Sequence, residues 1–75
     1  MYIIYLQFSD GSQGYYKIDE ANKIYSYPTN IKLKDKDGNI RITTFPSQAA
    51  AEAKAARLKE HFKNIVYAEV LVLKE

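Results

Sequence analysis

Two segments, one towards each end of the chain, are apolar on both faces of a β-strand. In residues 1–8, one face of the strand would carry Tyr2, Ile4, Leu6 and Phe8. The opposite face would carry Ile3 and Tyr5. Residues 65–73 are also apolar on both faces, and Ala68 and Glu69 are their weakest positions. Because two apolar faces are typical of a strand inside a sheet, we predict that both segments are interior strands.

The chain between these segments carries three turn-rich stretches. Residues 9–14 (SDGSQG) precede the alternating residues 15–19, which predicts a hairpin with the first strand. A polar break at residues 20–23 separates this hairpin from a short strand at 24–27. Pro28 has no backbone N–H to donate to a neighbouring strand, so it is expected at a strand end or a sheet edge. Residues 31–44 alternate apolar and basic side chains around the turn at 35–39, which predicts a further hairpin.

A helix is predicted at about residues 47–64. Ser47 suits the N-cap, the following residues are strong helix formers, and Asn64 suits the C-terminus. At about 100° per residue a narrow apolar stripe forms, which consists of Ala51, Ala55, Leu58, Phe62 and Ile65. Leu58 and Phe62 are its large side chains, so we predict that these two anchor the helix to the sheet.

Together these patterns predict an α+β fold in a single small domain, residues 1–75. The expected architecture is a mostly antiparallel sheet of about five or six strands, with a single helix on one face and a C-terminal strand after it. The connection from the strand at 40–45 through the helix is long enough for a crossover, which would be right-handed if the joined strands were parallel.

Composition excludes several classes of protein. The chain has 75 residues, no cysteine, 47% hydrophobic and 27% charged residues, so we expect a folded domain without disulfides or thiolate metal sites. The first eight residues are too few for a membrane span, and they lack the basic region of a signal peptide. We therefore expect a cytoplasmic protein that does not enter membranes.

Residues with catalytic potential are few. His61 is the single histidine, it lies near Lys54 and Arg57 on the predicted helix flank, and no serine sits in a nucleophile-elbow sequence. The segment 35–39 lacks the glycine and glutamate positions of an EF-hand and is expected to be a turn. We expect no enzyme, and no metal, cofactor or small-molecule substrate.

One helix can cover one face of the predicted sheet, which leaves an apolar face open. The residues predicted on it are Ile3, Tyr5, Tyr15, Tyr25 and Tyr27. Seven tyrosines in so short a chain suit cross-strand packing, but tyrosine is also enriched at protein interfaces. Because a large exposed apolar patch usually marks an interface, the hypothesis is a non-catalytic protein that binds another protein, or a second copy, through this face or a strand edge. Its size fits a regulator or inhibitor of the phage or mobile-element kind.

Nucleic-acid binding is the alternative, because charge is unevenly distributed. Residues 31–64 contain eight basic and four acidic residues, a net charge of +4, whereas the rest of the chain carries −2. The candidate contacts are Lys32, Lys34, Arg41, Arg57 and Lys63. Tyrosines beside such cations could also stack on single-stranded bases.

Residues 31–64 also show a loose resemblance to a known DNA-binding module. A lysine-rich hairpin, the sequence TTFPS at 43–47 and an alanine-rich helix follow one another, as in the arm-type domain of tyrosine recombinases. The resemblance covers less than half of the chain, and the last strand at 65–73 departs from that module. The resemblance implies that the hairpin contacts DNA. It supports the nucleic-acid alternative and does not bear on the protein-binding hypothesis.

Overall fold

The computed structural model describes residues 1–18, 24–30 and 32–73. Their elements are β1 (Tyr2–Phe8), β2 (Gln13–Ile18), β3 (Ile24–Tyr27), α1 (Gln48–His61) and β4 (Ile65–Val72). The strands form an antiparallel sheet in the order β3-β2-β1-β4. The predicted α+β class is confirmed, but the sheet of the described residues has four strands and not five or six. The predicted polar break at 20–23 lies outside the described residues.

β1 is an interior strand, as predicted, whereas the prediction for β4 is wrong. β1 lies between β2 and β4, and β4 is the strand at one edge of the sheet. Ile3 pairs with Leu71, and Tyr5 pairs with Glu69, in an antiparallel ladder. Because β4 is antiparallel to its neighbour, the parallel crossover considered from the sequence does not occur here.

The predicted hairpin at 31–44 accounts for most of the difference between the predicted and the observed number of strands. Its turn is present, with Gly38 at φ +85° and the Asp35 carboxylate accepting hydrogen bonds from the backbone N–H groups of Asp37 and Asn39, both at 2.9 Å. The ladder around it consists of one isolated bridge, between Lys34 and Ile40. This short hairpin pairs with itself and adds no strand to the sheet.

Residues 43–45 enter the sheet between the diverging ends of β1 and β2. The Thr43 N–H donates to the Tyr16 carbonyl at 3.3 Å, and the Ile18 N–H donates to Thr43 Oγ1 at 2.9 Å. Phe45 and Tyr2 exchange two backbone hydrogen bonds, at 2.8 and 3.0 Å. The loop after the short hairpin is thereby fixed to both strands, which satisfies backbone groups that the splayed ladder leaves unpaired.

The helix begins where the sequence predicts and ends earlier. Ser47 Oγ accepts a hydrogen bond from the Ala50 N–H at 3.2 Å, which is an N-cap contact. Phe62 is the C-cap residue and its side chain is 40% exposed, so the prediction that it anchors the helix is wrong. Asn64 lies in the turn after the helix and does not cap it.

The main core lies between α1 and the sheet. Its buried members are Ile4, Leu6, Tyr16, Ala51, Ala55, Leu58 and Ile65. On the helix the small side chains of Ala51 and Ala55 let the backbone approach the sheet closely, and Leu58 is the large buried side chain. The helix packs against β4 and β1, so its position covers that half of one sheet face.

Gly14 is a site where the sheet tolerates no side chain. A Cβ atom there would lie 2.7 Å from Ser26 Cβ and 2.9 Å from the Tyr27 carbonyl oxygen. We expect Gly14→Ala to lower the free energy of unfolding by about 1–3 kcal/mol, the usual range for overpacking. Urea denaturation followed by circular dichroism measures this, with Gln13→Ala on the same strand as the control. Equal stability of the two variants would contradict the close approach of β3.

Candidate partner-binding face

The sheet face opposite the helix brings the tyrosines together. Tyr5 pairs with Tyr15, and Tyr15 pairs with Tyr27, so the three positions lie side by side on β1, β2 and β3. Tyr25 is at the register position opposite Lys17, and Ile3 is two residues before Tyr5. Since successive positions in a strand alternate between faces, Ile3, Tyr5, Tyr15 and Tyr27 share this face, and of Tyr25 the register position alone is described.

A fourth tyrosine extends the group onto β4. The ring centres of Tyr5 and Tyr67 are 6.4 Å apart at an interplanar angle of 68°, and those of Tyr5 and Tyr15 are 6.2 Å apart at 66°. Both are edge-to-face contacts. We call Tyr67, Tyr5, Tyr15 and Tyr27 the tyrosine row. Tyr67 is absent from the residues predicted for partner binding, although its alternation with Glu69 and Leu71 places it on this face.

Hydrogen bonds hold the rings of the tyrosine row in place. The Tyr5 hydroxyl donates to Gln13 Oε1 and accepts from Gln7 Nε2 at 2.9 Å. The Tyr67 hydroxyl donates to Glu69 Oε1 at 3.2 Å, and this bond to the carboxylate raises the pKa of Tyr67 above its usual value. The rings of Tyr5 and Tyr67 are thereby fixed by neighbouring side chains of the sheet.

One end of this face is covered by the loop that follows the short hairpin. Lys17 Nζ donates to the Arg41 carbonyl, and Arg41 Nη1 donates to the Tyr27 hydroxyl at 3.1 Å. Ile3 is 3% exposed and Ile42 is also buried, and neither belongs to the helix-side core. Ile3 therefore offers no surface to a partner, whereas the tyrosine row stays accessible beyond the loop.

A basic hollow adjoins the tyrosine row at Arg41. This shallow hollow of about 440 Å³ is lined by Lys32, Lys34, Asp35, Lys36 and Arg41. Backbone N–H groups, above all that of Asn39, lower the pKa of the Asp35 carboxyl, and Arg41 adds to the effect. The ionised Asp35 offsets part of the positive charge of the hollow.

The five residues of the nucleic-acid alternative are not all brought together. Lys32, Lys34 and Arg41 share the basic hollow. Arg57 lines a different hollow on α1, of about 370 Å³, together with Leu58 and His61. Lys63 is exposed in the turn between α1 and β4.

The described residues provide few other places for chemistry. Among residues 1–18, 24–30 and 32–73, no three histidine, aspartate or glutamate side chains are grouped so that they could hold a metal ion. His61 is exposed at the end of α1. None of the helices in this part of the chain has the length and apolar character needed to span a bilayer.

Comparison with known proteins gives no functional guide. No protein-family model, curated protein or solved structure matches the chain.

Proposed function

We propose that this is a small, non-catalytic binding protein that engages another protein through the tyrosine row. The observation that carries the proposal is the placement of four tyrosines side by side across a sheet face that the helix leaves uncovered. Tyrosine supplies a large contact area with few rotamers, and ordered tyrosines are common binding anchors. A role as a regulator or inhibitor fits such a protein.

The charges at the two ends of the tyrosine row indicate what kind of surface would fit it. Glu69 lies beside Tyr5 on β4, at one end. Arg41 and Lys17 contact Tyr27 at the other end, and Lys17 Nζ is 5.7 Å from the centre of that ring. A complementary protein surface would have an apolar centre, a basic group near Glu69 and an acidic group near Arg41.

Binding of single-stranded nucleic acid is the second candidate. Arg41 joins the tyrosine row to the basic hollow, so aromatic rings and cations form one continuous surface. However, the ring of Tyr5 meets its two aromatic neighbours at 66° and 68°, and such rings do not form a parallel platform for stacked bases. This geometry ranks the protein partner first.

Replacing Tyr5 by aspartate is expected to abolish partner binding. The new carboxylate would lie at the centre of the row and opposite Glu69, and loss of a binding anchor lowers affinity by about 30-fold or more. The measurement is quantitative capture by the tagged protein from cells of its source, with Arg57→Asp as the matched control on the helix side. Partners retained by the control and lost by the variant support the proposal, whereas identical captures contradict it.

Salt dependence separates the two candidates. Contacts to phosphates make affinity fall steeply with ionic strength, and an interface built on tyrosines depends on salt weakly. We therefore expect captured proteins to persist at high salt. Oligonucleotide binding that is lost with salt, and lost when Lys32, Lys34 and Arg41 are all changed to serine, would favour the second candidate.

A further inference from the structure

β4 leaves one side of the sheet open to backbone pairing. In the described part of the chain no strand lies outside it. The Leu73 N–H donates to the Met1 carbonyl, and ladder bonds alternate along an antiparallel pair. The backbone groups of Ala68, Val70 and Val72 therefore point away from β1, towards the free edge.

This edge lacks lysine and proline, two features that normally prevent strands from associating, and the register shift of its ladder lies only at its start, where Phe8 pairs with Ile65. β4 has eight residues, no lysine and no proline, and its exposed apolar side chains are Val66 at 56%, Tyr67 at 42% and Val72 at 60%. By contrast, β3 at the opposite edge has four residues and is followed by Pro28. The structure thus distinguishes one protected edge from one that is open.

We propose that a second copy of this chain occupies the open edge, through antiparallel pairing of the two β4 strands about a twofold axis at Ala68. At the centre of β4, an axis at Ala68, Glu69 or Val70 lets outward-pointing backbone groups meet. An axis at Glu69 would place two carboxylates opposite each other, and an axis at Val70 would place Glu69 opposite Leu71. The axis at Ala68 instead places Tyr67 opposite the second copy's Glu69, so that neither Glu69 faces a second carboxylate or an aliphatic side chain.

The helix provides an independent test of the same axis. Lys54 Nζ lies 5.9 Å from the ring centre of Tyr16, so the Lys54 flank of α1 faces β2. At about 100° per residue, Glu52 and Lys59 lie on the opposite flank, towards the open edge, and both are exposed. This flank is the part of the helix that a second copy would meet.

The same axis pairs these two charges across the dimer. α1 and β4 pack together and are joined by a short turn, so they run in opposite directions. The helix is about 21 Å long and the strand about 26 Å long, so their midpoints lie at nearly the same height along the strand direction. The midpoint of α1 falls between Glu52 and Lys59. A twofold axis at Ala68 then places Glu52 of each copy opposite Lys59 of the other, which gives two such pairs. The axes of the two α1 helices would lie about 10 Å apart.

The resulting dimer has a continuous eight-stranded sheet with both helices on one face and both tyrosine rows on the other. The dimer rests on the free backbone groups of β4 and not on the proposed function, although Tyr67 belongs both to this strand and to the tyrosine row. Tyr5→Asp tests the tyrosine row, and the changes described next test the edge.

Sedimentation equilibrium of the purified protein measures the association directly. We expect a species of twice the 8.6 kDa chain mass at concentrations on the order of 100 µM. Ala68→Pro removes an N–H that points to the edge, not to β1, and is expected to weaken the dimer by about tenfold or more. A wild-type protein that stays monomeric, or a folded Ala68→Pro variant that dimerises normally, would overturn the proposal.

A charge exchange on the helix keeps the test valid even if Ala68→Pro does not fold. Glu52→Lys and Lys59→Glu each replace two attractive pairs by repulsive ones, so each is expected to weaken the dimer by about tenfold. The double variant should restore it. Glu60→Lys, the same change of charge on the outer side of α1, is the control and should have no effect. Failure of the double variant to recover, or equal weakening by the control, would overturn the pairing about Ala68.

Discussion

Tyr16→Ala is expected to leave the protein largely unfolded at room temperature. The Tyr16 side chain is 1% exposed and is one of the largest in the core. Its ring stacks on Phe45 with centres 6.0 Å apart at 25°, so it also holds the loop that enters the sheet between β1 and β2. Loss of a large buried aromatic side chain costs about 3–5 kcal/mol, which is close to the whole stability of a domain of this size.

Urea denaturation followed by circular dichroism tests this expectation. The matched control is Tyr16→Phe, which keeps the ring and its packing and removes the hydroxyl alone. We expect this control to unfold cooperatively, with a loss of about 1 kcal/mol or less. A Tyr16→Ala variant that unfolds at the same urea concentration as the control would show that the ring does not support the core.

Leu58→Ala is expected to release α1 from the sheet. Leu58 is 2% exposed, and the other buried side chains of the helix are the alanines at 51 and 55. Removal of such a leucine costs about 2–5 kcal/mol, and no other large buried side chain of α1 compensates for its loss. The sheet would then expose Ile4 and Leu6 to water.

Phe62→Ala is the informative comparison for Leu58→Ala, because the two residues look alike in the sequence pattern. Phe62 is half exposed at the C-cap, so its replacement is expected to cost about 1 kcal/mol or less. Hydrogen exchange of the amides in Gln48–His61 measures the protection of the helix in each variant. Equal loss of protection in both would mean that Phe62 anchors the helix after all.

The features predicted correctly from the sequence are those fixed by local chemistry. Ser47 precedes a run of strong helix formers, and its side chain makes the expected N-cap bond. Alternation in residues 1–8 identified β1 and its two faces, because side-chain direction in a strand follows directly from position. The same rule placed Tyr5, Tyr15 and Tyr27 on one face before any register was known.

The errors arise where long-range partners decide the structure. The alternating residues of 31–44 suit a strand, but the loop after their turn bonds to Tyr16 and Tyr2, which lie far away in the sequence. β4 is apolar on both faces, which favours an interior strand. In the described residues it has β1 as its single neighbour, and its local sequence does not distinguish an edge strand from an interior one. Likewise Ile3 is buried although it lies outside the helix-side core, and no periodicity reveals this.

The pairing of β1 with β4 sets the order in which the chain can fold. Ile3 pairs with Leu71, so nearly the whole described chain must be synthesised before β1 acquires its second neighbour. Until then β1 can pair only with β2 and Phe45, and the backbone groups of β1 that later bond to β4 stay unpaired on the ribosome. Such distant pairing also slows folding relative to helical proteins of the same length. Among the described strands, β4 emerges last and is thus the one that completes the sheet.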